Sequence, residues 1–172
     1  MMKNLLRRSY FFSRTEEIMQ VNSLNQRIGK VARDGITKEV FFRTCNIFLM
    51  DSEGKLVVQQ RAEHIKPFPM YWDAAPGGVV RINETDAEAA KREIFEEMNV
   101  EVEDLEKLAT VSIENEGWFW WCSFFKAKFK GNIQKSKDIH DYRLLSLKDV
   151  RDSIDKGEKF TPSCIAGLKW LK

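Results

Sequence analysis

"GGVVRINETDAEAAKREIFEEMNV", residues 77–100, decides how this chain is read. It starts in a Gly-Gly turn, and its spacing predicts a helix from about Thr85 to Met98. That helix carries Glu93, Glu96 and Glu97 within a single turn. At 100° per residue they fall at about 0°, 300° and 40°, one arc of about 100°. Ala90, Ile94, Ala87 and Met98 fall at about 60°, 100°, 120° and 140°, the apolar stripe expected to face a core. The carboxylates therefore border that stripe, at the rim of the core. Like charges three or four residues apart cost roughly 0.2–0.5 kcal/mol per pair even on an exposed helix. Partial burial raises the cost, because each charge loses hydration. A solvated acidic face balanced by Lys91 and Arg92 is one reading. The other starts from the Gly-Gly turn, whose bare backbone lets a ligand come close. Clustered carboxylate oxygens plus a backbone carbonyl are what a hard divalent cation requires. On chemistry alone the stretch reads as a Mg²⁺ site, with the ion in turn binding a phosphate.

The flanking sequence predicts mostly strands. Ile18 to Val21 and Arg27 to Arg33 read as two short strands around a polar turn. Residues 39–50, "EVFFRTCNIFLM", form a largely buried strand, and "DSEGK" turns it back into "LVVQQR", residues 56–61. Pro67, Pro69 and Pro76 predict an irregular loop over residues 62–76. After the helix come a short β segment and turn, then a strand ending near Glu114. "WFWWCSFFKAKF", residues 118–129, is another strand, and residues 142–147 are a last one. Helices follow at "LKDVRDSI" and through "PSCIAGLKWLK". Hairpins and helices in this order predict an α/β or α+β sandwich around a mixed sheet.

The chain of 172 residues, 43% hydrophobic and 31% charged, is expected to form one domain over residues 1–172. A net charge of +2 is too small to argue for a nucleic-acid or membrane partner, so no stable nucleic-acid binding is expected, and no apolar run approaches the ~18 residues of a membrane helix. Cys45, Cys122 and Cys164 have no metal-ligand spacing and read as buried hydrophobes in a reducing cytoplasm. Residues 1–16 form a basic extension, with Lys3, Arg7, Arg8 and Arg14 in a weakly transit-peptide-like pattern.

The residues of the opening stretch resemble the Nudix box: Gly, five residues, Glu, seven residues, Arg-Glu, an aliphatic, one residue, Glu-Glu, one residue, Gly, an aliphatic. Gly78, Glu84, Arg92, Glu93, Ile94, Glu96, Glu97 and Val100 stand at those positions. Asn99 replaces the last glycine, a mild change where a left-handed residue closes a helix. The box covers residues 78–100, and the order of hairpin, Gly-Gly loop, helix, aromatic strand and C-terminal helix resembles the Nudix α/β/α sandwich beyond it. The segment leading into the box resembles the isopentenyl-diphosphate isomerase-like branch, which includes hydrolases of unassigned substrate.

The resemblance implies a hydrolase of a nucleoside diphosphate linked to another group, or a similar organic diphosphate, using Mg²⁺ or Mn²⁺. Glu93, Glu96 and Glu97 would be the metal-binding and water-activating carboxylates, with a backbone carbonyl at Gly77 or Gly78. Glu84 and Arg92 would pair to hold loop and helix in register. Asp138 is a candidate further acid, with Glu114 and Glu116 expected in solvent. Arg61 and Lys66 frame the loop opposite the box, where they can meet a substrate phosphate. Trp72, Trp118 and Trp120 can stack on a flat group, although core packing suits the two strand tryptophans better. Aromatic residues near 118–125 are consistent with a homodimer. An isomerase is disfavoured, because its catalytic cysteine should precede the Gly-Gly turn and "WDAAPGG" holds none. A binding module on the same fold is the remaining alternative, although its expected mark, loss of the box glutamates, is absent.

Overall fold

The structure, a computed structural model, describes residues 16–74 and 76–171. Apart from Glu16, the basic extension expected over residues 1–16 lies outside these residues. The strands are β1 (Glu17–Val21), β2 (Arg27–Ala32), β3 (Phe41–Met50), β4 (Leu56–Arg61), β5 (Trp72–Asp73), β6 (Gly77–Val79), β7 (Val102–Asn115), β8 (Trp118–Phe129) and β9 (Ile139–Leu145). The helices are α1 (Asp86–Met98), α2 (Leu147–Asp155) and α3 (Pro162–Leu168).

β3 organises the sheet. Along one side it pairs in parallel with β8 from Phe42–Trp120 to Met50–Lys128. Along the other it meets β1, β6 and β4 in turn, all antiparallel. β7 pairs antiparallel with β8, while β5 and β9 flank β4. The sheet is therefore mixed, as predicted.

Alternation along β3 divides the core into two layers. Cys45, Ile47 and Leu49 pack with Ala89, Ala90, Ile94 and Met98 of α1. Phe48 turns the other way, onto Val150 of α2 and Cys164 and Leu168 of α3. Helices thus cover both faces, the α/β/α arrangement that the resemblance implies.

α1 begins as its sequence dictates. Thr85 accepts from the Glu88 N–H at 3.2 Å, and Glu88 Oε2 accepts from the Thr85 N–H at 2.8 Å, a complete capping box. Asn99 ends it at φ 52° and ψ 39°, its N–H donating to Phe95 O.

Three expectations need correction. Ala87 is exposed and Ala89 is buried in its place, so the buried face of α1 is turned toward the glutamates rather than away from them. Trp72 and Asp73 form a short strand within the loop expected to be irregular, because no proline intervenes there and β4 offers free pairing groups. β7 is one 14-residue strand rather than a segment, a turn and a strand. Register shifts at Val102/Leu105 and Lys107/Ala109 absorb the breaks in its pattern.

Candidate active site

The site is built where α1 crosses β6 and β4. Gly78 pairs with Cys45 in the β3–β6 ladder, and a Cβ there would overlap the Glu93 carboxylate. A Cβ on Gly77 would overlap Cys45 O. The Gly-Gly pair therefore lets the helix carboxylate lie directly on the backbone.

Glu93 is only 8% exposed, deeper than the rim position its spacing predicts. Arg92 compensates for its burial. The guanidinium reaches Glu93 Oε1 at 2.5 Å and Glu96 Oε2 at 3.2 Å through Nη1. Its other face grips Glu84 through Nη2 at 2.6 Å and Nε at 3.0 Å, and Nη2 also donates to Val79 O. Arg92 thus ties together the loop, the strand and two of the three clustered carboxylates. Burial works against its charge, and Glu84 and Glu93 more than reverse that, raising its pKa. Arg81 adds a second cation, 3.6 Å from Glu96 and 2.5 Å from Glu16.

Glu97 is placed differently. Among the described residues no arginine hydrogen-bonds to it; its Oε2 accepts from Gln59 Nε2 of β4 at 2.8 Å. Burial, together with the nearby Glu93, pushes its pKa up to about 8, against the Gln59 hydrogen bond and the charge of Arg61. Burial also raises the pKa of Glu93, against the pull of Arg92. The three glutamates are thus not equivalent: two rest on Arg92 and one does not.

Of the other candidates, Arg61 ends β4 near Glu97 and Asp73, its Nε donating to Pro67 O at 3.1 Å. Lys66 is exposed on the same loop and makes no hydrogen bond or ion pair to the box. Asp138 lies 2.9 Å from His64 Nε2, and its carbonyl accepts from the Ala62 N–H. The adjoining Ser136 N–H donates to Glu97 O, which fastens this loop to the end of α1. Glu114 and Glu116 are exposed. Trp72 and Trp120 are buried, and Trp118 is half-buried against the core. Arg143 lies 4.0 Å above the Trp72 ring, where a flat ligand would otherwise stack. Trp118, Phe119 and Trp121 are half-buried, while Trp120, Phe124 and Phe125 are buried.

The sequence reading missed Gln59, Asp73 and the His64–Asp138 pair. The first left a trace, since a glutamine stands two residues after Val57 on the strand face turned to α1. The other two depend on pairings over long sequence distances, which local patterns do not encode.

A divalent cation can be tested against this donor set. All the donors are hard oxygens, and two of the carboxylates are held against their charge by burial, which a cation would relieve. Among the described residues, however, no three acidic, His or Cys side chains converge tightly enough to hold an ion as they stand. The chemistry fits, with Glu93 and Glu96 turned onto Arg92.

A mixed sheet between helix layers, with a carboxylate-rich helix following a Gly-Gly strand, defines the class of fold. A profile of the NUDIX domain matches residues 40–166. A Nudix hydrolase of Deinococcus radiodurans is 35% identical over 157 residues, covering 91% of this chain and 78% of the relative. An uncharacterized Nudix hydrolase of Pseudomonas aeruginosa is 31% identical over 145 residues, covering 81% and 86%. The crystal structure of DR0079 from Deinococcus radiodurans superposes with a TM-score of 0.78 at 24% identity, covering 91% of this chain and all of that one. The NUDIX domain of Shewanella oneidensis NrtR, solved with ADP ribose, superposes with a TM-score of 0.62 at 17% identity, covering 81% and 90%. The chain belongs to the Nudix family, and it is a hydrolase of phosphoric anhydrides. Enzymes of this family generally use divalent metal ions. Among the described residues no helix is long and apolar enough to cross a membrane.

Proposed function

We propose that this chain is a Mg²⁺- or Mn²⁺-dependent hydrolase that cleaves the diphosphate linkage of a nucleoside diphosphate joined to a further group, or of a similar organic diphosphate. The observation that carries the reading is the inequality of the carboxylates. Glu93 and Glu96 are compensated by Arg92, while among the described residues the side-chain hydrogen bond on Glu97 comes from the Gln59 amide. ADP ribose, the ligand of the NrtR NUDIX domain, is itself a nucleoside diphosphate joined to a sugar, which supports this substrate class.

Glu93, Glu96 and Glu97, with the Gly78 carbonyl, would hold the cation. When bound, it lowers the pKa of a water and draws charge from the diphosphate oxygens. Arg92 and Glu84 keep the helix and loop in register, so that the carboxylates stay preorganised. Glu97, held by Gln59 rather than by Arg92, is the carboxylate placed to take the proton from the attacking water. Arg61, beside Glu97, meets the negative charge of the substrate phosphates. Lys66 extends that positive edge from the loop, and Asp138, oriented by His64, is a further acid near the end of α1. The cytoplasm is the proposed compartment, in keeping with three free, buried cysteines.

Phosphate or nucleotide release from a panel of nucleoside diphosphate sugars, dinucleotides and nucleoside di- and triphosphates tests this. Turnover of at least one member with Mg²⁺ or Mn²⁺, abolished by chelation, is expected. Tight binding of a diphosphate with no turnover under either ion would favour the binding-module reading instead.

A further inference from the structure

Gln59 occupies a place where the strand pattern calls for an apolar side chain. On β4, Leu56 and Val58 join the core under α2 and α3, whereas Val57 joins the core under α1. Gln59 also reaches to α1, yet it is only 3% exposed. Strands on both sides fix its backbone, since it pairs with Asp73 of β5 and with Tyr142 of β9.

Its Nε2 donates to Glu97 Oε2 at 2.8 Å. Its Oε1 is buried and has no hydrogen-bond partner. An unsatisfied buried acceptor lowers stability. Turning the amide over exchanges the orphan rather than removing it, because Oε1 would then face the carboxylate and Nε2 would be left alone. Methionine has the same length and would fill the space, leaving Glu97 Oε2 without its donor in place of the orphaned Gln59 Oε1. Packing therefore does not call for glutamine here. What glutamine adds is a single N–H donor, directed at the one clustered carboxylate that, among the described residues, no arginine hydrogen-bonds.

We propose that Gln59 is a positioning residue for Glu97, fixing one carboxylate oxygen so that the other is presented to a cation or a water. The proposal rests on the assignment of Glu97 to the site made above. A residue seated on a strand paired on both sides can hold that carboxylate more firmly than one on a loop.

Gln59→Met separates this role from a structural one, because it trades one unsatisfied buried atom for another while removing the donor on Glu97. The proposal predicts a folded protein with a Tm close to that of wild type, a kcat about 10- to 100-fold lower, and a KM within about twofold of wild type. Mn²⁺ affinity, followed by electron paramagnetic resonance, should weaken by about tenfold. In a Glu97→Gln background the same substitution should change Mn²⁺ affinity by less than about twofold, because the partner is already altered. A kcat and a Mn²⁺ affinity both unchanged in folded Gln59→Met would overturn the proposal. So would a full effect of Gln59→Met in the Glu97→Gln background. If the wild-type protein hydrolyses no diphosphate, the hydrolase reading falls by itself, and the Tm and Mn²⁺ measurements still decide the role of Gln59.

Discussion

At the scale of single residues, the protein buries several ionisable and polar groups, and each is handled differently. Glu93 is answered by an arginine, Glu97 by an amide, and Asp73 by neutral donors. Asp73 is 6% exposed and accepts from Thr161 Oγ1 at 2.7 Å and Asn46 Nδ2 at 3.2 Å. Burial nevertheless outweighs those bonds and pushes its pKa from 3.8 to about 6. A carboxyl raised in the folded state favours folding while protonated. Its contribution is fully present below about pH 4 and is lost as pH rises through about 6. A shift of that size is worth roughly 3 kcal/mol. Asp73→Asn should therefore gain stability relative to wild type by roughly 2–3 kcal/mol between pH 4 and pH 7, read from urea denaturation at a series of pH values. Parallel stability curves for the two proteins would show that Asp73 is not titrating in this way.

At the scale of elements, α1 was legible because its signals are local. The capping box, the Gly-Gly turn before it and the helical spacing of its apolar residues all lie within one short stretch. Which way it faces was less legible: Ala87 and Ala89 are both small, and only packing against β3 decides between them. β5 and the unbroken β7 escaped for the same reason, since each is made by pairing with a strand distant in sequence or by bulges that no residue type announces. In the site, the glutamates and Arg92 could be read from their spacing, while Gln59 reaches Glu97 from 38 residues away. The end of α1 offers a direct test. Asn99 sits in the left-handed region, which penalises residues with a Cβ and is tolerated best by glycine and asparagine. Asn99→Ala should destabilise by about 1–2 kcal/mol, part of it from the lost Nδ2 bond to Gln134, while Asn99→Gly should be near neutral. Thermal unfolding measures both, and equal effects of alanine and glycine would argue against a conformational role for the position.

At the scale of the whole molecule, the fold places a helix that is electrostatically uncomfortable against β6, where Gly78 puts no side chain in the way of Glu93. Arg92 binds Glu84 of the loop, Val79 of β6 and two helix carboxylates, so helix, strand and loop are secured by the groups that flank the site. Gln59 reaches Glu97 from β4, and Ser136 and Asp138 fasten the far end through backbone hydrogen bonds. The sheet thus acts as a rigid platform, with the acidic turn of α1 held over it in an arrangement that a cation would relieve. The central claim is that Glu97 carries the chemistry of this arrangement. The most direct measurement is the Mg²⁺- or Mn²⁺-dependent hydrolysis of the best diphosphate substrate by Glu97→Gln, alongside its Tm without metal. Loss of kcat by about 100-fold or more, with Tm equal to or above that of wild type near pH 8, is the predicted result. Activity equal to wild type in a folded Glu97→Gln protein would contradict it.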